Sequence, residues 1–132
     1  MQTNPIIETI RKAVPNLIAL YRFGSQVHGT AGPESDVDVA ILAPDPLSPP
    51  TLFDLQQQLA VLLHKEVDLV DLASATTVLR MQVVSTGECL FSGNDRTREE
   101  FETSVFSSYA RLNEERRGIL DDVRARGSVY GR

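Results

Sequence analysis

FGSQVHGTAGPESDVDVAIL, residues 23–42, decides how the rest of the chain is read. An apolar run, LIALYRF at 17–23, ends in Gly24-Ser25. A polar, glycine-punctuated segment follows, and Asp36 and Asp38 then enter a second apolar run, DVDVAIL at 36–42. Both runs read as strands. On a strand, residues i and i+2 share a face, so the two carboxylates project together while Val37 and Val39 pack behind them. Carboxylates on a largely apolar strand are costly unless something pairs with them.

Two like charges that close raise one another's pKa unless a cation sits between them. A divalent ion such as Mg²⁺, which takes a few carboxylate oxygens together with substrate phosphates, is the simplest remedy. A third carboxylate is available in EVDLVDL at 66–72, a third strand. Asp68 sits inside that strand, whereas Asp71 is leaving it, so Asp68 is the preferred candidate and Asp71 its competitor. If this strand neighbours 36–42, the carboxylates converge in the two-metal manner of phosphoryl transfer. Gly24-Ser25 supplies the other half: a strand ending in Gly-Ser at a helix start leaves backbone N–H groups and a hydroxyl where a phosphate can sit.

Around this stretch the elements alternate. Asn4-Pro5 opens a helix with a capping residue followed by proline, and Ile6, Ile7, Ile10 and Val14 keep helical spacing to about Ala13. Residues 25–30 read as a short helix or turn and 31–35 as a loop. APDPLSPP at 43–50 holds four of the seven prolines and reads as an irregular connection. Thr51 is expected to cap a helix running to His64. A further helix spans 74–85, ended by Gly87, and a short edge strand covers 89–91. From Asp95 to about 126 the chain reads as one long helix. Its stripe of Phe101, Val105, Tyr109, Leu112, Ile119 and Val123 is narrow, enough to cover one neighbour. The class is therefore α/β (α+β), a mixed small sheet with flanking helices.

At 132 residues the chain is expected to be a single domain, with a core at about 1–93 and the long helix after it. Hydrophobic residues at 42% and charged residues at 23% fit an ordinary globular protein. A net charge of −5 argues against a generally nucleic-acid-binding surface. The single Cys89 excludes an internal disulfide and is expected to be a small buried hydrophobe. No basic-then-apolar leader and no run of ~20 apolar residues is visible, so the expected location is cytoplasmic, away from the membrane. His28 reads as a surface residue, Tyr21 as core, and the arginines 111, 116, 117, 124 and 126 as a solvated face.

Gly24-Ser25, ten intervening residues, then Asp36-Val37-Asp38 reproduce the GS-x10-D-x-D signature of the DNA polymerase β-like nucleotidyltransferases. In length and order of elements the whole chain resembles the minimal nucleotidyltransferases of prokaryotes, the MNT-domain antitoxins paired with HEPN-domain toxins. The resemblance implies Mg²⁺, two ions in the full arrangement, held by Asp36, Asp38 and Asp68, with Asp68 helping to activate the acceptor hydroxyl. It implies that Gly24 and Ser25 hold the triphosphate of ATP. It implies transfer of AMP to a tyrosine of a partner HEPN ribonuclease toxin, which silences it, as in type VII-like toxin–antitoxin pairs. Larger relatives carry an added domain for the second substrate, so the acceptor here is expected on another protein. Two alternatives remain open: neutralisation of the partner by binding alone, and nucleotidyl transfer to a small molecule or RNA.

Overall fold

The computed structural model describes residues 4–24 and 37–125, with side chains to Asp121. Ser25, Asp36, His28, the 25–30 turn and the 31–35 loop lie outside the described residues, as do Arg126 and the side chain of Arg124. The described elements run α1 (Asn4–Ala13), β1 (Ala19–Phe23), β2 (Val37–Leu42), α2 (Pro49–Leu63), β3 (Val67–Asp71), α3 (Thr77–Thr86), β4 (Glu88–Ser92) and α4 (Asp95–Ala125).

The four strands form one mixed sheet in the order β3-β2-β1-β4. β1 pairs antiparallel with β2 and β4, while β2 and β3 are parallel and joined through α2. Alternation along each strand divides the core between two faces. Leu20, Val37, Val39, Ile41, Val67 and Leu69 pack with Ile6 and Ile10 of α1 and Leu55 and Leu59 of α2. Ala19, Tyr21, Phe23, Ala40 and Leu42 pack on the opposite face with Val83 of α3 and Phe101 of α4. Helices thus cover both faces. Among the described residues no helix is long and apolar enough to cross a membrane.

Where local structure departs from expectation, the cause is capping chemistry. Ser48, not Thr51, caps α2: its side chain accepts from the Thr51 N–H, and Pro49 and Pro50 occupy the first turn. Proline loses nothing there, because first-turn N–H groups have no helical partner. At the other end His64 adopts a left-handed conformation, φ 55°. α3 begins later than expected, with Thr76 accepting from the Leu79 N–H. α4 is capped by Asn94, whose side chain accepts from the Thr97 N–H, so Asp95 occupies the first turn, where a carboxylate favours the helix dipole. β4 is an edge strand as expected, yet Cys89 on it is exposed rather than buried. The other edge is blunted: the Gln56 side-chain carbonyl accepts from the Leu69 N–H at 3.0 Å, taking one donor out of reach of another strand.

Candidate active site

β2 and β3 are parallel and in register, so Asp38 stands directly beside Asp68, while Asp38 also faces Phe23 across the antiparallel pair. Both carboxylates start from the face that carries Phe23 and Ala40, at the end of the sheet where β1 finishes and β2 and β3 begin. Asp38 is half-buried and Asp68 exposed. The two aspartates expected to act together from adjacent strands are therefore neighbours.

Gly24 closes the site from the β1 side. Its φ of +83° lies in the left-handed region that an L side chain rarely adopts. A Cβ at this position would also stand 2.3 Å from Asp38 Oδ2 and 3.2 Å from its Cγ. The glycine makes room for the carboxylate, a role that the motif spacing alone does not disclose. Behind it, α3 ends at Gly87, where a Cβ would approach the Arg22 carbonyl oxygen to 3.1 Å, so the helix terminus is pressed against the last turn of chain before Gly24. Arg22 itself forms an ion pair with Glu88 of β4.

Asp71, the competing third carboxylate, is otherwise engaged. It pairs in register with Ile41, which lies on the opposite face, and is only 6% exposed. Its Oδ2 accepts from the Leu47 N–H (2.8 Å) and the Ser74 hydroxyl (3.3 Å), and its Oδ1 from the Ala73 N–H (3.0 Å). A buried carboxylate with three donors staples the loop before α2 to the loop after β3.

Behind the site a polar chain ties β1 to α4. The Tyr21 hydroxyl donates to Glu102 Oε2 at 2.7 Å, and Arg98 Nη1 donates to both Glu102 oxygens at 3.1 Å. Burial, then the Glu102 carboxylate, pushes the Tyr21 phenol far above its ordinary range. The hydrogen bond to Glu102 likewise raises Arg98, and partial desolvation on the sheet edge raises the otherwise exposed Cys89 thiol. Arg98 and Glu102 went unread in the sequence; their i, i+4 spacing is a local signal, but their partner 81 residues away on β1 leaves none.

A concavity of about 720 Å³ lies at the far end of the sheet, between Ile18, Leu42, Ala43 and Phe101. Arg80 on its wall spends its donors on the Leu72 and Ala73 carbonyls. The carboxylate pair lies elsewhere. Among the described residues no three His, Cys, Asp or Glu side chains cluster as metal ligands, Asp36 being outside them. Asp38 and Asp68 contribute hard oxygen donors, the kind that Mg²⁺ takes.

Residues 4–96 match the family described as Polymerase beta, Nucleotidyltransferase. The chain belongs to this nucleotidyltransferase family. Over 125 residues it is 43% identical to the protein adenylyltransferase MntA of Shewanella oneidensis, spanning 95% of this chain and 89% of that one. A crystal structure of a toxin–antitoxin with AMP-PNP contains a similar chain at a TM-score of 0.85 and 43% identity, covering 94% of this chain and 99% of that one. Another similar chain, with a TM-score of 0.76 and 41% identity over 92% of this chain and 94% of its own, belongs to a tri-AMPylated Shewanella oneidensis HEPN toxin in complex with MNT antitoxin. These similarities extend well past the nucleotidyltransferase match at 4–96, into the length of α4.

Proposed function

We propose that this nucleotidyltransferase is the antitoxin of a HEPN/MNT pair, a protein adenylyltransferase that moves AMP from ATP to a tyrosine hydroxyl of its HEPN toxin. The observation that carries the reading is the pairing of Asp38 with Asp68 on adjacent strands, with Gly24 pressed against Asp38. The relatives named above, an adenylyltransferase and chains solved in toxin complexes with AMP-PNP or an AMPylated toxin, supply the substrate classes. In this reading 1–132 is a single minimal nucleotidyltransferase domain acting in the cytoplasm.

The chemistry follows from the residues. Gly24 and Ser25 hold the triphosphate at the end of β1, where glycine lets the backbone approach phosphate closely. Asp36, Asp38 and Asp68 would hold Mg²⁺, which would offset the charge on the phosphates. The tyrosine oxygen attacks the α-phosphorus in line. A new O–P bond forms, the bond from the α-phosphorus to the bridging oxygen breaks, and pyrophosphate leaves with that electron pair. Asp68, exposed at the edge of the site, takes the hydroxyl proton.

Incubation with α-labelled ATP, Mg²⁺ and the partner toxin tests this. Label is expected on the toxin, lost by at least ~10²-fold in Asp38→Asn and Asp68→Asn, in line with the loss of a positioned acid–base group. A tight complex that never takes up label, or one neutralised equally by both variants, overturns catalysis in favour of binding alone.

A further inference from the structure

α4 runs far past the body of the protein, and it does so over the catalytic end. Its beginning is fixed at the far end of the sheet, where the Gly93 N–H bonds the Ile18 carbonyl at 2.7 Å, just before β1 starts. Eight residues on from Asn94, Glu102 has reached Tyr21, the middle of β1. Val105 is 2% exposed, the last buried position among the described side chains of the helix. α3 runs the same way beside it, from Arg80 bonded to the Leu72 carbonyl at the far end to Gly87 against Arg22 and Phe23 at the catalytic end. α3 stops there, whereas α4 continues for a further 20 residues after Val105, about 30 Å at 1.5 Å per residue.

The apolar stripe does not stop with the body. Ile119 lies eighteen positions beyond Phe101, five whole turns, so it occupies the same face about 27 Å further along. Phe101 packs toward the sheet face that carries Asp38 and Asp68. Ile119 and its neighbour Leu120 are 63% and 55% exposed. Residues within four positions of them carry both signs: Glu115, Arg116, Arg117 and Asp121. Such a surface does not suit a polyanion or a lipid headgroup layer; it suits the apolar face of another protein, rimmed by mixed charge.

We infer that the distal half of α4 is the docking arm for the acceptor protein, which packs an apolar helical surface against Ile119 and Leu120 and so delivers its hydroxyl to Asp38 and Asp68. This rests on the protein-acceptor reading given above. The arm runs past the end of the sheet that carries Asp38 and Asp68, where an acceptor hydroxyl must arrive, so the acceptor is the occupant that the geometry favours. The chains solved within toxin–antitoxin complexes are similar over 94% and 92% of this chain, so the arm belongs to the part they share.

Ile119→Asp with Leu120→Asp, both at exposed positions, tests it with the full-length protein and its partner toxin. Toxin binding by calorimetry is expected to weaken at least ~10-fold, and KM for the toxin to rise in proportion. kcat at saturating toxin and affinity for ATP should stay within ~2-fold, with an unchanged melting curve showing that the variant folds. Glu114→Lys, on the opposite side of the helix, is the control and should leave binding as it was. Unchanged binding in the double variant overturns the inference, as does an equal loss in Glu114→Lys. So does a dimer of the lone chain in sedimentation that the double variant dissolves. Failure of the wild type to label the toxin overturns the catalytic reading alone, because the binding measurement still decides the arm.

Discussion

Gly24 shows how one residue answers two demands at the same point. The left-handed backbone excludes most side chains at a cost of about 1–2 kcal/mol, and Asp38 Oδ2 occupies the space where a Cβ would go. Gly24→Ala is expected to lower stability by that order while moving the Asp38 carboxylate. Displacements on the ångström scale cost about 10² in rate, so AMP transfer should fall far more than urea denaturation would suggest. Equal activity per folded molecule would remove the carboxylate contact as an explanation for the glycine. Asp68 and Asp71 separate in the reverse sense. Asp71→Asn sets an amide NH₂ against the donors of Leu47, Ala73 or Ser74 and should cost about 2–3 kcal/mol, with activity per folded molecule largely kept. Asp68→Asn should stay within about 0.5 kcal/mol of wild type, as exposed positions do, and lose activity. If Asp71→Asn is the inactive and stable variant, the two roles are exchanged.

At the scale of elements, Tyr21 joins β1 to α4, and its burial makes that joint sensitive to alkali. The phenol is held far above its ordinary range in the folded chain, while the unfolded chain titrates near pH 10. The unfolded state therefore sheds its proton first, and the stabilisation is complete below about pH 10 and declines above it by about 1.4 kcal/mol per pH unit. Tyr21→Phe removes both the hydrogen bond and the titration. The wild type should be more stable by about 1–2 kcal/mol at pH 8, with the gap closing toward pH 11; parallel urea curves across that range would show that Tyr21 does not govern it. The joint also marks the limit of what sequence discloses. Both strands of the opening motif, the third strand with Asp68, the edge position of β4 and the span of α4 were readable, because period-2 runs, Gly-Ser and Asp-x-Asp spacing are local signals. The Ser48 cap was hidden behind a proline run that breaks helices and begins them equally well. Cys89 was misjudged because an edge strand leaves exposed what composition would bury. The register of Asp38 with Asp68, the Gly24 contact and the Tyr21–Glu102 bond are relations between strands and helices far apart in the chain, and no spacing encodes them.

For the molecule as a whole, stability is unevenly distributed, and the uneven part is the arm. Strands β1 and β2 are covered on both faces, whereas α4 beyond Val105 leaves Phe106, Ile119 and Leu120 largely open to solvent. A helical stretch of this length with little tertiary support is marginal in water, so it belongs to the low-stability end of the molecule. It also carries Arg111, Arg116 and Arg117, all exposed. Limited trypsin digestion of the free chain should cut first at these arginines and leave a fragment that retains the sheet. Arg22, paired with Glu88 in the sheet, and Lys65, half-buried with its N–H bonded to the Ala60 carbonyl, should resist longer. Adding the acceptor protein should slow the arm's cleavage by at least ~10-fold, since binding that shields the helix shifts its opening equilibrium by mass action. First cuts at Lys65 or Arg22, read by mass spectrometry, would mean that the body opens before the arm. Cleavage of the arm at the same rate with and without the acceptor would mean that the two do not meet there.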